Sequence, residues 1–350
     1  MKRHWLTYLL SICAALSSCT DGEVLIDRIS EPTAARQVPI SFASSYVDHA
    51  ATRHTSELRE HLSTMGVWGW YSGTSDNYTP AFEDQFVAYN ADSARWEYKP
   101  LQYWQEGNHY SFFAYAPHQR LTDAKVDINP TTRMISIKGV TLHGYNLQDI
   151  PSFNVKEQFA GTPDTDWMVA RAGQTATGTA GMDIEFMMQH ILAKLNVRIK
   201  TDLKLLLEQH ITQLTADSVV IGTLAAKGDF VQQLTHTPLL TDPAQAAINE
   251  WAVSDTILIL KETHASTIEE TPVYLIESLV LPQHISSQAT ATLYYSYHYD
   301  DGHKEECRYQ MPLTEAFTRF ASGHNYTLTF TLSPKRIVFE AGAANWEKNL

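Results

Sequence analysis

Cysteine is nearly absent from this chain. Only three of the 350 residues are cysteine, and two of them, Cys13 and Cys19, lie near the N-terminus. Cys307 therefore stands alone in the rest of the chain, and a disulfide framework is excluded there. The fold is expected to be held together by burial of apolar side chains. A chain of this length can bury a large core and is long enough for two domains.

Positive charge is also scarce. The chain carries 26 Lys and Arg against 39 Asp and Glu, which gives a formal net charge of −13. Proteins that bind nucleic acids depend on clustered Lys and Arg, so a nucleic-acid partner is not expected. The net negative charge suits a soluble protein that is held outside a cell.

Long apolar runs are confined to the N-terminus. Lys2 and Arg3 precede an apolar run over residues 6–16, which is typical of a secretory signal peptide. We interpret residues 1–18 as this signal. No later stretch approaches the roughly 18 apolar residues of a membrane-spanning helix, so no second membrane segment is expected.

The signal ends in Leu-Ser-Ser-Cys at 16–19, which resembles the lipobox of bacterial lipoproteins. In a lipobox the cysteine is acylated and becomes the first residue of the mature chain. Cys19 is therefore expected to carry lipid that tethers the soluble chain to a membrane. An ordinary signal peptide with a chance cysteine is the alternative. Residues 19–36 are expected to form a flexible tether.

Motifs for catalysis or metal binding are missing as well. The sequence has no G-x-S-x-G, no H-E-x-x-H and no phosphate-binding glycine loop. The densest group of potential ligands is His298, Asp300, Asp301 and His303, but Asp-Gly at 301–302 already predicts a hairpin turn there. We expect no enzyme activity, no cofactor and no metal.

Alternation of apolar and polar residues is the dominant pattern that is present. Val38, Ile40 and Phe42 share one face of a predicted first strand. Similar period-two runs, rich in Val, Ile, Thr and Tyr, recur to the C-terminus: MISIKGV, VVIGTLAAKGDFV, ILILKE, VYLIESLVL, TATLYYSYHYDDGHKEECRYQM and NYTLTFTLSPKRIVF. The exception is 202–216, where leucines at helical spacing predict one amphipathic helix. The chain is expected to be all-β, built of antiparallel sandwiches.

A domain boundary is predicted in the small, polar segment RAGQTATGTAGMD at 171–183. The segment lies between two apolar strands and is rich in Gly and Thr. It would separate an N-terminal β-sandwich at 37–180 from a C-terminal β-sandwich at 181–350.

Aromatic residues are concentrated in RWEYKPLQYWQEGNHYSFFAYAP at 95–117, where eight of 23 residues carry a ring. In YSFFAYAP, Tyr110 and Phe112 face one way and Phe113 and Tyr115 face the other, as expected for a central strand with a core on both sides. Packing in a core is one interpretation of the stretch. A carbohydrate-stacking surface on Tyr103 and Trp104 is the other.

The same stretch resembles the fimbrillin family, the pilin-like surface lipoproteins of Gram-negative anaerobes, and its minor-fimbrium type in particular. It reads W-x-Y-x-P-x-x-Y-W followed by Y-x-F-F-A-Y-x-P. Further fragments occur in the family's order: VPISF at 38–42, TR at 52–53, GVWGWYSG at 66–73, TDWMVA at 165–170, MQHILAKLNVRI at 188–199 and RIVF at 336–339, followed by Trp346.

This resemblance implies two tandem transthyretin-like β-sandwiches and a subunit or adhesin of surface fimbriae. In such proteins an arginine-specific protease removes the first strand, and a strand of the neighbouring subunit fills the groove that it leaves. The match to TR favours Arg53 as the maturation site. Arg36 is the alternative, but cutting there would shed only the tether and would leave the first strand in place. Both could also be ordinary solvated arginines.

The strand to be donated is expected within 336–350, with Ile337 and Phe339 on one face. The same segment could instead be the last strand of the C-terminal sandwich, with Trp346 capping its core. The expected partners are like or related fimbrial subunits and, through them, host or bacterial surface receptors. The alternative function is a monomeric glycan-binding lipoprotein of a polysaccharide uptake system, with Tyr103 and Trp104 stacking on the sugar.

Overall fold

The computed structural model describes residues 38–42, 64–73, 78–118, 124–129, 134–146, 164–176, 183–202, 210–234, 247–263, 265–333 and 336–346. The chain divides after Arg36, and all of these residues belong to the part that follows. Their regular secondary structure is β-strand apart from a short 3-10 helix at Leu313–Glu315, which confirms the all-β prediction. In the described ranges, no helix has the length and apolar character needed to cross a membrane.

The strands of the described residues are, in chain order, β1 (Ser41–Phe42), β2 (Thr64–Ser72), β3 (Thr79–Asn90), β4 (Arg95–Glu97), β5 (His109–Ala116), β6 (Lys125–Asn129), β7 (Met134–Thr141), β8 (Met168–Thr175), β9 (Asp183–Ile184), β10 (Gln189–His190), β11 (Ala193–Thr201), β12 (Ile211–Ala225), β13 (Lys227–Leu234), β14 (Ala247–Val253), β15 (Ile257–Glu262), β16 (Ser266–Thr267), β17 (Val273–Val280), β18 (Gln283–His284), β19 (Thr290–Tyr299), β20 (Lys304–Pro312), β21 (Arg319–Phe320), β22 (His324–Ser333) and β23 (Arg336–Asn345).

An antiparallel sheet of six strands, in the order β10-β8-β5-β2-β3-β4, forms the N-terminal part of the fold. Its central strand β5 alternates as predicted. Tyr110 and Phe112 pack into a core that includes residues of β1 and of the segment after β9. Phe113, on the opposite face, packs against Ile128 and Ile135 of β6 and β7. The sheet is therefore covered on both faces.

Two further sheets face each other across the largest core, in the C-terminal part. One has the order β17-β11-β22-β23, and the other has the order β15-β12-β19-β20 with β16 beside β12. Leu195 and Phe330 of the first sheet and Leu293 of the second are fully buried in this core. The hairpin β19–β20 turns at Asp301-Gly302 as predicted, with Gly302 at φ +83°.

A further four-stranded sheet connects the N-terminal and C-terminal parts of the fold. The hairpin β13–β14 pairs with β7, in a sheet of order β14-β13-β7-β6, so that Phe230 lies opposite Ile137. The indole Nε1 of Trp251 in β14 donates to Ser322 Oγ at 3.2 Å. Residues 171–175 of the predicted linker lie in β8. The division into domains at 37–180 and 181–350 and the transthyretin-like topology stay predictions.

The helix predicted over 202–216 is wrong for its second half. Residues 211–216 open the long strand β12, while 203–209 lie outside the described residues. The buried positions of β12 are spaced by three and two residues in turn: Ile211, Leu214, Ala216, Val219, Ile221 and Leu224. Each three-residue step coincides with a register shift, at 211/213 and 216/218 against β19 and at 221/224 against β15. Bulges therefore give this strand a spacing that resembles a helix.

Candidate functional site: the groove of the first strand

The first strand is held between two segments that are distant in sequence. On one side β1 pairs in parallel with β9, with Phe42 opposite Ile184. On the other side, Ile40 N–H donates to Gln102 O at 2.8 Å and Trp104 N–H donates to Val38 O at 3.0 Å. Both edges of the strand are therefore paired.

The side chains of Ile40 and Phe42 point into an apolar groove, where they are 1% and 4% exposed. Four rings surround the Phe42 ring, with centroid distances of 5.8 Å to Phe82, 5.5 Å to Tyr98, 6.5 Å to Phe112 and 5.7 Å to Phe186. We call these four rings, together with β9 and the backbone of 102–104, the first-strand groove.

The hydroxyl of Tyr98 fixes the backbone of the first strand from inside the groove. It donates to Ile40 O at 2.7 Å, and Gln102 N–H donates to the same hydroxyl at 3.3 Å. Burial raises the pKa of Tyr98 to about 12. The phenol is therefore neutral at physiological pH and can act as a donor to the strand.

Replacement of Tyr98 by phenylalanine is expected to lower the free energy of unfolding by about 1–2 kcal/mol at neutral pH, because Ile40 O loses its buried donor. The deficit should shrink between about pH 10 and 12. In that range the unfolded tyrosine has lost its proton and the folded one has kept it, so the wild type becomes less stable as pH rises, while the phenylalanine variant has no such loss. Denaturant unfolding at pH 7 and pH 11 checks both effects. An equal deficit at the two pH values would contradict this assignment of Tyr98.

The aromatic stretch 95–117 thus builds much of the groove, and the prediction that its rings pack in a core is confirmed. Tyr98, Tyr110 and Phe112 are buried on the groove side of the sheet. Trp104 extends the same packing, with its ring edge-on to Tyr110 at 4.7 Å.

The two residues proposed to stack on a glycan differ in exposure and in their contacts. Trp104 packs inward against Tyr110 and Phe112. Tyr103 is 38% exposed and lies opposite Pro39, beside the first strand. Trp104 is partly buried in this position, and the glycan-stacking role of the two residues stays a prediction.

The predicted processing sites lie outside the described residues. Cys19 and Arg36 precede them, and Arg53 falls in the gap between Phe42 and Thr64. Their roles stay predictions.

The predicted donor residues lie in β23, at the edge of a sheet. Ile337 is paired with Leu332 of β22, and Phe339 is paired with Phe330. Both side chains are partly buried against the C-terminal core. Trp346, just beyond the strand, is 7% exposed and stacks on the His190 ring at a centroid distance of 4.1 Å. That position matches the alternative in which Trp346 caps the core.

Asp164 and Asp166, which lie close together in sequence, contact different residues. Asp164 accepts hydrogen bonds from the backbone N–H groups of His143 at 2.6 Å and Gly144 at 2.9 Å. An oxygen of Asp166 lies 2.8 Å from His190 Nδ1. The two carboxylates thus stabilise different neighbours.

In the β19–β20 turn, the potential metal ligands contact different partners. Asp300 lies 3.1 Å from His210 Nδ1, His298 approaches Thr215 Oγ1 at 3.3 Å, and Asp301 accepts from the backbone N–H of His303. Within the described ranges, no group of three or more His, Cys, Asp or Glu side chains is placed to hold a metal ion.

Three groove residues escaped the sequence analysis. Phe82 lies in β3, where register shifts against β2 at Val67/Gly69 and Gly69/Trp70 interrupt the alternation. Asp183 is the first residue of β9 and Phe186 follows that strand, at the end of a segment interpreted as a linker. Only the isolated apolar Ile184 and Phe186 after the Gly- and Thr-rich run could have indicated a strand there.

Comparison with known proteins gives a match to the fimbrillin-like family over residues 52–346. No curated protein matches the chain. Among solved structures, a fimbrial protein from Bacteroides vulgatus has 14% sequence identity and a TM-score of 0.58, over 88% of this chain and 99% of that chain. A candidate cell adhesion protein from Bacteroides ovatus has 14% identity and a TM-score of 0.49, over 89% and 98% of the two chains.

The likeness to the Bacteroides vulgatus structure shows a shared fold. The family match begins at Thr52, beyond the first strand, and runs to Trp346 at the end of the described residues. Because this match covers most of the sequence, the chain belongs to the fimbrillin-like family.

Proposed function

We propose that this protein is a subunit or adhesin of cell-surface fimbriae that assembles by replacement of its first strand. One observation carries the proposal: the first strand, residues 38–42, fills a groove built by residues that are distant in sequence, through two buried anchors, Ile40 and Phe42. A fimbrial protein from Bacteroides vulgatus shares the fold. In the proposal Cys19 carries the lipid that brings the chain to the outer membrane.

Cleavage after Arg53 is the step that would open the groove. Arg53 follows Phe42 in sequence, so cutting there severs the first strand from the rest of the chain. Cutting at Arg36 would leave β1 attached. This order along the chain supports Arg53 as the maturation site.

Loss of the first strand would favour the binding of another strand in its groove. Full burial of an Ile or Phe side chain stabilises the fold by about 1.5–3 kcal/mol. Without Ile40 and Phe42, the apolar surface of the groove that they cover would be exposed to water. Gln102 O and Trp104 N–H would also lose their partners Ile40 N–H and Val38 O. A strand from a neighbouring subunit can restore both kinds of contact at once.

The strand β23 of a like subunit matches the two anchors. Ile40-Ser41-Phe42 and Ile337-Val338-Phe339 share the pattern Ile-x-Phe. Placed in the groove in this register, Ile337 would replace Ile40 and Phe339 would replace Phe42. Among the described strands β23 pairs with β22 alone, so its release would break one ladder of that part of the chain.

The maturation step is tested by treating the full chain with an arginine-specific protease and measuring both the N-terminal mass and the formation of SDS-resistant ladders. We expect the wild type to begin at His54 and to assemble. Arg53→Ala should remain monomeric. Arg36→Ala, the matched control, should assemble as the wild type does. Assembled fibres whose chains still begin at an acylated Cys19 would contradict the proposal.

A further inference from the structure

The first-strand groove contains one polar contact that the two anchors do not explain. Ser41 lies between Ile40 and Phe42, and its hydroxyl donates a hydrogen bond to the Asp183 carboxylate. Ser41 and Asp183 are register partners in the parallel pair β1–β9. Whatever residue stands between the two anchors therefore lies beside this carboxylate.

From this contact we infer that Asp183 selects the partner strand, by favouring a hydroxyl or a positive charge at the position between the two apolar anchors. The inference rests on the proposed function and adds to it the chemistry of the partner. Asp183 is exposed, and among the described residues no cation forms an ion pair with it.

This selection ranks the possible partners. In the register that places Ile337 and Phe339 in the groove, a copy of this chain brings Val338 beside Asp183. Valine can neither donate a hydrogen bond nor carry charge, so a copy satisfies the anchors and leaves the carboxylate without a partner. The preferred occupant is the strand of a related subunit with the pattern apolar–Ser, Thr, Lys or Arg–aromatic.

The contact itself is tested first in the full, uncut chain. Ser41→Lys and Ser41→Asp are each made in two backgrounds, one that keeps Asp183 and one that carries Asp183→Asn. The free energy of unfolding is measured for all four variants. Cross-strand pairs of opposite charge stabilise a sheet and like charges destabilise it. We expect Ser41→Lys to be more stable than Ser41→Asp, with the difference lost in Asp183→Asn. An unchanged difference would overturn the inference, whatever the fate of the proposed function.

Strand selection is tested on the chain nicked after Arg53 with its first strand still bound. Fluorescent peptides with the sequence of residues 37–46, carrying Ser, Lys, Val or Asp at position 41, compete for the groove. We expect Lys and Ser to bind more tightly than Val, and Val more tightly than Asp, with a span on the order of tenfold. Asp183→Lys should reverse the order of the Lys and Asp peptides.

The two ways of failing are distinct. If all four peptides enter with equal affinity, the selection by Asp183 is overturned and strand replacement stands. If none enters although the nicked first strand can be displaced by denaturant, strand replacement is overturned, and selection of a partner falls with it. The double-mutant comparison in the uncut chain then reports only whether Asp183 senses its neighbour within the fold.

Discussion

Replacing Phe42 with alanine is expected to lower the free energy of unfolding by about 3–5 kcal/mol, as for other buried Phe→Ala changes. The ring is 4% exposed and is surrounded by the four rings of the first-strand groove. Alanine would leave a cavity among these rings, which are themselves buried and packed in the same core. The loss is limited to the free energy with which the first strand docks, since beyond that point the strand detaches alone.

Amide hydrogen exchange distinguishes docking from global stability. The Trp104 N–H donates to Val38 O, so it reports directly on whether the first strand is seated. In Phe42→Ala its exchange should accelerate by about a hundredfold or more, as a change of about 3 kcal/mol implies. Tyr103→Ala is the matched control, because Tyr103 lies beside the same strand but is exposed. Equal exchange in the two variants would show that the anchor contributes little.

Replacing Lys194 with methionine is expected to cost about 3–5 kcal/mol, the range measured when one partner of a buried ion pair is removed. The Lys194 ammonium contacts the Glu277 carboxylate, and each side chain is only 6% exposed. Methionine keeps much of the volume of lysine, so the loss would come from the carboxylate left buried without its partner. Equilibrium unfolding in denaturant measures it.

Two further variants make the origin of that loss testable. Lys194→Met combined with Glu277→Leu removes both charges and should recover most of the stability, because a buried ion pair adds little over apolar packing of similar volume. Lys304→Met breaks the exposed pair with Glu306 and should change stability by less than about 1 kcal/mol. A double variant as unstable as Lys194→Met would mean that lost packing, and not the stranded charge, causes the effect.

The strands that could be predicted from sequence are those with regular alternation. ILILKE coincides with β15, where Leu258 and Leu260 are buried and Ile257 and Ile259 are exposed. YSFFAYAP divides its rings between two cores, as a central strand must. In both cases the side-chain direction follows from the pleat alone, so local sequence is sufficient.

Bulged strands could not be predicted in the same way. In β12 the extra residues shift the buried positions to a spacing of three and two, and leucines before it strengthen the false impression of a helix. In β3 the register shifts against β2 occur around Gly69. They interrupt the alternation, so the sequence does not predict this strand. The bulge depends on the partner strand, and that partner is not visible in the local sequence.

The candidate site was predictable only in part, for a similar reason. The anchors Ile40 and Phe42 were evident from their alternation. Their surroundings were not, because the groove brings Asp183 and Phe186 to a strand more than a hundred residues earlier in the sequence. The same holds for Lys194 and Glu277, which the register of β11 and β17 brings together.

The pairing of β7 with β13 has a mechanical consequence. In a fimbria assembled as proposed, a pulling force would enter a subunit at its groove and leave through β23. The peptide chain between these points would not bear the load alone, since the β7–β13 ladder joins the N-terminal and C-terminal parts of the fold. Stretching one part away from the other would require this ladder to rupture, so the subunit should transmit tension as a stiff link.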